Sequence, residues 1–297
     1  MRVIVFGGSG FVGSHVADAL TAAGHETTVF DLRESTWLSE GQQMVIGDMT
    51  DLDTVAAAVR GHDAVFNFAG IADIDDSRRR PVDTVKVNVL GNVNLLEACR
   101  SEGIGRYVFA SSIYVQSEAG SFYRVSKQAC ELYIEEYQRE FGVEYTILRY
   151  GTLFGRRAND RNSVHRYLRS ALKDRRIVAA GTGEELREYI HVEDAARLTA
   201  EILADEYANE QVVLTGHFPM RYSDLLRLVQ EIVGPDVQVE LTAPSPDEAQ
   251  SAHYAITPYA FRPRVARKLV SSYYIDMGQG LLDVLAEIHD EEDGAAS

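Results

Sequence analysis

The sequence predicts an α/β fold in which a doubly wound parallel sheet is followed by a smaller C-terminal α+β domain. Three observations support this prediction. Short β-branched runs alternate with stretches of helical periodicity, a glycine-rich turn directly follows the first run, and the pattern changes after Gly151. Strands that alternate with helices form parallel sheets, and such sheets bind ligands beyond the carboxyl ends of their strands.

The individual elements follow from hydrophobic periodicity, which is two residues in strands and about 3.6 residues in helices. Strands are predicted at 2–6, 27–30, 44–46, 64–68, 107–110, 145–148 and 212–214. Helices are predicted at 11–23, 52–59, 82–99, 123–141, 222–233 and 280–288. The regular alternation up to residue 148 is what a doubly wound sheet requires.

Composition narrows the class of protein. The 297 residues are 45% hydrophobic and 25% charged, with a net charge of −16 that argues against nucleic acid as a partner. No run approaches the ~20 apolar residues of a membrane span, and no signal segment precedes the first strand, so we expect a cytoplasmic protein. Cys99 and Cys130 fall in helical patterns without metal-ligand spacing, which predicts buried thiols and no metal site.

The glycine-rich turn has the pattern of a dinucleotide-binding loop. Gly7 permits the tight turn after the first strand, Gly10 allows backbone to approach a pyrophosphate, and Gly13 allows close packing of the helix. The phosphates would then lie at the start of the helix, against Phe11 and Val12.

An acidic residue ends the next strand. Asp31 lies 18 residues beyond Gly13, where a carboxylate accepts hydrogen bonds from the adenosine ribose. This position favours NAD over NADP, because a 2′-phosphate would meet a like charge. Arg33 is close enough to leave NADP open as an alternative.

A serine, a tyrosine and a lysine form the candidate proton-transfer group. Ser112 ends a strand, Tyr123 follows it by eleven residues, and Lys127 follows Tyr123 by four, on the same predicted helix face. A lysine ammonium in that place stabilises a phenolate and lowers the pKa of the tyrosine. The set would then exchange a proton with an alcohol or ketone. Taken alone, the pair leaves a surface tyrosine and an exposed lysine as the less favoured alternative.

The order of several motifs matches one family. These motifs are GGSGFVG, the Gly47–Asp48 turn, NFAG, VNVLGNVNLLEAC, SS followed by YRVSK, LRYGTLFG and REYIHVEDAA, and they span residues 2 to about 204. The chain resembles the extended short-chain dehydrogenases/reductases of the NAD-dependent sugar-nucleotide epimerase/dehydratase group. The resemblance implies a Rossmann domain, NAD as cofactor, and a nucleotide-diphosphate sugar as substrate.

The resemblance also assigns residues to the cofactor. Asp48 and Met49 correspond to adenine contacts, and Ala69 to the residue that packs on the ribose and diphosphate. Asn88 corresponds to the helix asparagine behind the active site, and Tyr150 to a residue near the nicotinamide amide.

Further roles carry over to the reacting centre. Tyr123 resembles the catalytic base, Lys127 the group that holds the nicotinamide ribose, and Ser112 the donor to the substrate oxygen. Arg187, in REYIH, corresponds to the arginine that contacts the nucleotide diphosphate, and Arg262 is a second candidate.

The stretch from residue 156 to residue 176 is strongly basic. It holds seven arginines and one lysine against two aspartates. One interpretation is a positive field for a diphosphate, and the other is a solvated helix face.

Two departures from the family pattern bear on the reaction. Gly151 and Thr152 stand where family epimerases often carry a substrate-contacting asparagine, so Thr152 becomes the candidate contact. The 4,6-dehydratases place Asp-Glu directly after the catalytic threonine, and here Ile113 and Tyr114 occupy those positions. Dehydration is therefore disfavoured.

These features predict an NAD-dependent epimerase of nucleotide sugars, acting at C4 through a transient 4-keto sugar. The alternatives are a 4-ketoreductase or dehydratase on the same fold, or a non-catalytic NAD-binding regulator. Residues 1–150 are expected to form the NAD-binding domain, with 187–218 returning to it. Residues 151–186 and 219–297 are expected to bind the substrate.

The resemblance further implies a homodimer. Related proteins pair the helices that correspond to 82–99 and 123–141 into a four-helix interface. The sequence leaves a monomer open, because an apolar helix face can equally pack in a monomer core.

Overall fold

Strands occur along the whole of the described chain, from the first residues to the C-terminal region. In the computed structural model, which describes residues 1–243 and 266–296, they are β1 Arg2–Phe6, β2 Glu26–Asp31, β3 Gln43–Ile46, β4 Ala64–Asn67, β5 Arg106–Ser112, β6 Tyr145–Tyr150, β7 Thr152–Phe154, β8 Arg176–Ala180, β9 Leu186–Arg187, β10 Tyr189–His191, β11 Glu210–Leu214, β12 Met220–Arg221, β13 Gln238–Thr242 and β14 Arg267–Lys268.

The helices lie mostly between the strands of the large sheet in the first part of the chain, and three of the later helices belong to the smaller C-terminal part. The helices are α1 Phe11–Ala22, α2 Leu52–Val59, α3 Ile74–Arg79, α4 Pro81–Thr84, α5 Gly91–Glu102, α6 Ser121–Phe141, α7 Ser163–Asp174, α8 Val192–Glu201, α9 Tyr222–Val233 and α10 Met277–Ala296. A π-helical turn, Val85–Leu90, joins α4 to α5, and 3₁₀ turns cover Ile113–Gln116 and Asp205–Tyr207.

Eight strands form one parallel sheet in the order β14–β11–β6–β5–β4–β1–β2–β3. The chain moves outward from β1 in both directions, so β1 and β4 flank the point at which the strand order reverses. In doubly wound sheets the ligand crevice opens at this point, beyond the carboxyl ends of the strands. The predicted α/β class with a doubly wound Rossmann sheet is therefore confirmed.

Two apolar cores cover the two faces of the sheet. Helices α2, α5 and α6 bury one face, with Leu95 and Ile134 fully enclosed. Helices α1 and α8 bury the other face, with Val16 and Leu198 among the enclosed side chains. This double coverage explains why the strands read as continuous apolar runs instead of alternating ones.

The smaller C-terminal part has a core of its own. Helices α7, α9 and α10 contribute Leu168, Leu225 and Leu281 to it. Three short strand pairs complete this part, namely β7 with β10, β8 with β13 and β9 with β12.

The structure differs from the predicted elements in several places, and it contains further short strands and helices between residues 152 and 242. The predicted helix 82–99 contains the π-helical turn Val85–Leu90. The pairing of β14 with β11 adds a strand to the sheet from a segment with no strand periodicity. Helix α10 continues to Ala296, well beyond residue 288, and its Glu287 accepts the Arg157 amide at 2.8 Å.

Two further findings concern composition. Both cysteines are buried and unbonded to each other, as the sequence predicts. None of the described helices is long and apolar enough to cross a membrane.

Gly216 provides a test of how the C-terminal part packs on the sheet. A Cβ atom at Gly216 would lie 2.1 Å from the Tyr189 carbonyl oxygen, so backbone would have to move. We expect Gly216→Ala to lower the free energy of unfolding by at least about 2 kcal/mol, measured by urea denaturation. Gly105→Ala is the matched control, because its Cβ would meet nothing closer than 3.4 Å. Equal stability of the two variants would contradict the tight contact.

Candidate active site

Tyr123 and Lys127 lie on one face of α6, against the carboxyl end of β5. The side chain of Ser112 lies within interaction distance of that of Tyr123, and the Lys127 Nζ donates to the Ala110 carbonyl at 2.7 Å. Lys127 Nζ is 5.8 Å from the centre of the Tyr123 ring. The structure thus brings together the three residues that the sequence predicts for proton transfer.

The surroundings of Lys127 lower the pKa of its ammonium group. The side chain is 6% exposed and its ammonium lies over the Phe109 ring at 4.6 Å. Burial lowers the pKa of Lys127 to about 8, although Cys130 and Glu131 oppose this change. Lys127 therefore still carries its positive charge at neutral pH.

The pKa of Tyr123 moves in the direction opposite to the one expected from the sequence. Burial raises this pKa to about 12, and the hydrogen bond from Ser112 offsets only part of the increase. The predicted lowering by Lys127 is not found, because its amine is directed to the Ala110 carbonyl.

The glycine turn is tightly packed against the exit of β4. Gly7 has φ +77°, and a Cβ there would lie 2.5 Å from the Ala69 amide nitrogen. A Cβ at Gly13 would lie 2.2 Å from the Gly7 carbonyl oxygen. Both glycines are thus required by close backbone contacts, and Gly13 serves the packing of helix on turn instead of helix on strand.

The start of α1 has the properties of an anion site. Gly10 precedes the helix without a side-chain cap, and no acidic residue lies in the first turn, which begins with Phe11 and Val12. Its first amides therefore keep their partial positive charge for a diphosphate. These features fit a dinucleotide.

Asp31 lies beside the glycine turn, as predicted. Its carboxylate accepts from the Ser9 amide at 3.1 Å and from the Leu32 amide at 2.7 Å. The Gly47 amide donates to the Asp31 carbonyl oxygen at 2.9 Å, which brings the Gly47–Asp48 turn to the same edge.

Two predicted cofactor residues prove to be anchored in the protein itself. Met49 is 5% exposed, packs in the core beneath Gly91, and accepts from Asn94 through its carbonyl. Asn88 exchanges two hydrogen bonds with the Ile71 backbone and donates to Ser126 at 2.9 Å. Asn88 therefore ties the β4 exit to α6, directly behind the predicted active site.

Tyr150 lies in the core on the α8 side of the sheet. It is 5% exposed, and its hydroxyl shares a 2.5 Å hydrogen bond with Thr199. Its ring is 6.0 Å from that of Phe68, just beyond the end of β4.

Two further predicted substrate residues lie in short strands of the smaller part. Thr152 begins β7, and Arg187 lies in β9 opposite Met220. A Cβ at Gly151 would lie 2.7 Å from Thr215, so this position has no room for the family's asparagine. Arg262 falls outside the described residues.

Most of the basic stretch 156–176 is neutralised by acids. One arginine pairs with an aspartate of the stretch itself, Arg169–Asp160, and others pair with carboxylates of α1, α3, α10 and the β13 region: Arg156–Glu287, Arg157–Asp18, Arg161–Asp76, Arg175–Asp236 and Arg176–Glu240. An open positive field for a diphosphate is therefore not what these arginines provide.

Several residues that support the site are not predicted by any motif in the sequence. The Tyr123 amide donates to Ser77 at 3.2 Å, and the rings of Tyr114 and Tyr123 meet edge to face at 6.3 Å. Buried Glu131 accepts from Ser111 and Arg149. Glu131 follows Lys127 by four residues, so its helical register was available as a signal.

A separate cavity of about 220 Å³ lies at the end of β11, next to α8. It is lined mainly by aromatic and aliphatic side chains, among them Phe154, Tyr189, Phe218 and Tyr274. None of the three proton-transfer residues borders it, so it carries no part of the site described above.

Comparison with known proteins places the chain in a family. A family model described as the NAD dependent epimerase/dehydratase family matches residues 3–214. The chain belongs to this family. The epimerase/dehydratase family is NAD-dependent, and NAD is accordingly the cofactor of this chain. Membership confirms the resemblance that the motifs suggested.

Members of the epimerase/dehydratase family with different reactions are similar to this chain. A putative UDP-glucose 4-epimerase of Methanocaldococcus jannaschii is 27% identical over 78% of this chain and 82% of its own length. A dTDP-glucose 4,6-dehydratase of Mycobacterium tuberculosis is 27% identical over 65% and 66%.

A solved structure within the family shows the same architecture. It is the Thermus thermophilus UDP-glucose 4-epimerase in complex with NAD, which is 26% identical. The similarity covers 97% of this chain and 99% of that chain with a TM-score of 0.79. The chain is thus an enzyme of the sugar-nucleotide epimerase/dehydratase group.

The lowered pKa of Lys127 predicts a pH-dependent stability. Between about pH 8 and the unfolded value near 10.4 the unfolded chain holds a proton that the native chain lacks, so stability rises with pH. Relative to Lys127→Met, the wild type should gain up to about 3 kcal/mol of unfolding free energy across this window. Urea denaturation at pH 7, 8, 9 and 10 measures the difference.

The control for this measurement is Lys173→Met, because Lys173 is exposed. The difference between wild type and this control should stay flat over the same pH range. A flat difference for Lys127→Met as well would show that Lys127 titrates normally in the native chain.

Proposed function

We propose that this chain is an epimerase of nucleotide sugars that acts at C4 through a transient 4-keto sugar. The observation that carries the proposal is the contact of Ser112 with Tyr123, beside Lys127, at the carboxyl edge of a family-typical NAD fold. A proton-transfer group in that position suits reversible oxidation of a secondary alcohol.

Each residue has a defined task in this proposal. Tyr123, as a phenolate, takes the proton of the C4 hydroxyl and later returns it to the reformed hydroxyl. Ser112 orients the substrate oxygen beside the phenol. Bound NAD supplies the acceptor for the C4 hydride and gives that hydride back. Exposure of the opposite face of the ketone before the return inverts the configuration.

Lys127 supports the phenolate through its charge. Burial makes the Tyr123 phenolate unfavourable, so its formation depends on nearby positive charge. Lys127 provides that charge below about pH 8, and it would also hold the nicotinamide ribose. The proposal therefore predicts that turnover requires a protonated Lys127.

The positions after Ser112 favour epimerisation over dehydration. Ile113 is buried against Val213, and Tyr114 packs its ring on Tyr123. Neither supplies the carboxyl group that the family's 4,6-dehydratases place there to eliminate water. A 4-ketoreductase would use the same residues, and only the fate of the cofactor distinguishes it.

We also propose which segments of the chain bind the cofactor and which bind the substrate. Residues 1–150 with 187–218 would hold NAD, and 151–186 with 219–297 would hold the nucleotide sugar. Arg187 is the first candidate for the substrate diphosphate because it corresponds to the family's diphosphate-binding arginine, and Thr152 is a candidate for the sugar.

The reaction can be identified by mass. Denatured wild-type protein is analysed for released NAD, and native protein is incubated with UDP-, GDP-, dTDP- and CDP-sugars. An isomer of unchanged mass, formed without added cofactor, is the expected product. A gain of two mass units that requires NAD(P)H would mean a ketoreductase, and loss of water would mean a dehydratase.

Tyr123→Phe tests the proton transfer. We expect turnover to fall at least about a thousandfold while NAD remains bound, because the phenyl ring keeps the packing and loses the hydroxyl. The control is Tyr133→Phe on the exposed face of the same helix, which should keep wild-type turnover. Substantial activity of Tyr123→Phe would rule out its role as the base.

We further propose that the chain forms a homodimer through α6 and the helix before α5. Exposed apolar side chains line neighbouring faces of these helices: Val82, Val85, Leu90, Phe122, Val125, Leu132 and Tyr133. On α6 they recur at helical spacing, so they form one stripe. A second copy of this chain would cover the stripe as a four-helix contact, and apolar stripes of this kind mark interfaces.

Leu132→Glu tests the dimer. Leu132 is 66% exposed within the stripe, and a glutamate there would bring two like charges into the proposed contact between the two copies. We expect sedimentation equilibrium to give a dimer for wild type and a monomer for the variant. Leu282→Glu, on the exposed side of α10, should remain dimeric.

A further inference from the structure

Three consecutive residues at the end of β5 lie against three residues of α6 spaced one turn apart. Ala110 accepts from Lys127, and Ser112 lies within interaction distance of Tyr123. Between them, the Ser111 hydroxyl donates to the Glu131 carboxylate at 2.5 Å. Two of the three helix residues belong to the proposed proton-transfer group, and Glu131 is the third member of the same face.

Glu131 is the centre of a buried polar network. Both it and Arg149 of β6 are less than one-tenth exposed, and the guanidinium binds the carboxylate at 3.0 and 2.7 Å. Arg149 also donates to Gln211 of β11 at 2.7 Å, and Gln211 donates to Glu135 at 2.7 Å. The network therefore connects α6 to β5, β6 and β11.

Stability alone is a poor explanation for such a network. The desolvation of two buried charges offsets most of their attraction, and apolar residues of similar volume often serve a core as well or better. In addition, the network fixes the orientation of its side chains. A carboxylate held by a bidentate guanidinium cannot rotate, so it fixes the Ser111 hydroxyl and the strand end that carries it.

We propose that Glu131 is a positioning residue of the active site, which fixes the carboxyl end of β5 against α6 through Ser111. This inference rests on the proposed function, because it concerns the relative placement of Ser112, Tyr123 and Lys127. Since Ser111 lies between Ala110 and Ser112, a shift of its backbone changes both neighbouring contacts at once.

The charges around Lys127 agree with this arrangement. On α6 it faces Tyr123, Cys130 and Glu131, and the last two favour its protonated form. Arg149, from β6, balances the charge of Glu131.

Ser111→Ala removes the link between strand and carboxylate without disturbing the Glu131–Arg149 pair. We expect kcat to fall about tenfold or more, with unchanged KM for the sugar nucleotide and unchanged NAD content. Thr146→Val is the matched control, because it removes a fully buried hydroxyl from the neighbouring strand β6, away from the carboxyl edge. The thermal midpoint of Thr146→Val should fall by about as much as that of Ser111→Ala, while its kcat stays at the wild-type value.

Two double variants distinguish the effect of the Ser111–Glu131 hydrogen bond from the effect of the buried charges of Glu131 and Arg149. Glu131→Gln with Arg149→Met keeps an acceptor for Ser111 and removes both charges, whereas Glu131→Leu with Arg149→Met removes the acceptor as well. Neither leaves a buried charge unpaired, so both are expected to fold. The glutamine variant should retain most of the wild-type kcat, and the leucine variant should lose tenfold or more.

Hydrogen exchange provides a readout that is independent of the reaction. Amides 121–131, measured without NAD or sugar, should exchange faster in Ser111→Ala and in the leucine variant than in Thr146→Val. Wild-type kcat and exchange in Ser111→Ala would overturn the positioning role. Full activity of Tyr123→Phe would instead contradict the proposed function. Faster exchange in Ser111→Ala would even then support the role of the Ser111–Glu131 hydrogen bond in fixing β5 against α6.

Discussion

The hydrogen bond from Lys127 to the Ala110 carbonyl determines where the candidate proton-transfer group lies in the fold. At 2.7 Å it fastens a buried ammonium to the last residues of a strand on the ligand side of a parallel sheet. Tyr123 is one helical turn away and reaches Ser112 two residues further along the strand. The proton-transfer group therefore exists only because α6 packs along β5 in one register.

The same packing determines the titration of both groups. Burial disfavours every charged form, so the pKa of Lys127 falls to about 8 while that of Tyr123 rises to about 12. A lysine and a tyrosine in this relation hold one positive charge near a neutral phenol at physiological pH. The spacing of the two residues in the sequence suggested a simple lowering of the tyrosine pKa, and it was wrong because spacing carries no information about desolvation.

The arginines between residues 156 and 176 show that an excess of positive residues in the sequence does not by itself predict an open positive field in the structure. Their excess in the sequence is consistent with a field for a diphosphate, yet most of them are paired with carboxylates from distant parts of the chain, such as Asp18 and Glu287. Ion pairs between α1, α10 and the β7–α7 connection join the smaller part to the Rossmann sheet. Recognition of the nucleotide then falls to Arg187 and its neighbours in the proposal.

The sequence by itself determined the sheet, the glycine turn with Asp31, and the identity of Ser112, Tyr123 and Lys127, because periodicity and short spacings are local properties of a chain. Only the tertiary structure decided that Asn88 binds Ile71 and Ser126, that Thr215 excludes a side chain at Gly151, and that β14 joins the sheet. It also revealed Glu131, whose partners come from two different strands. Contacts between residues so distant in sequence arise from packing, and no local pattern records them.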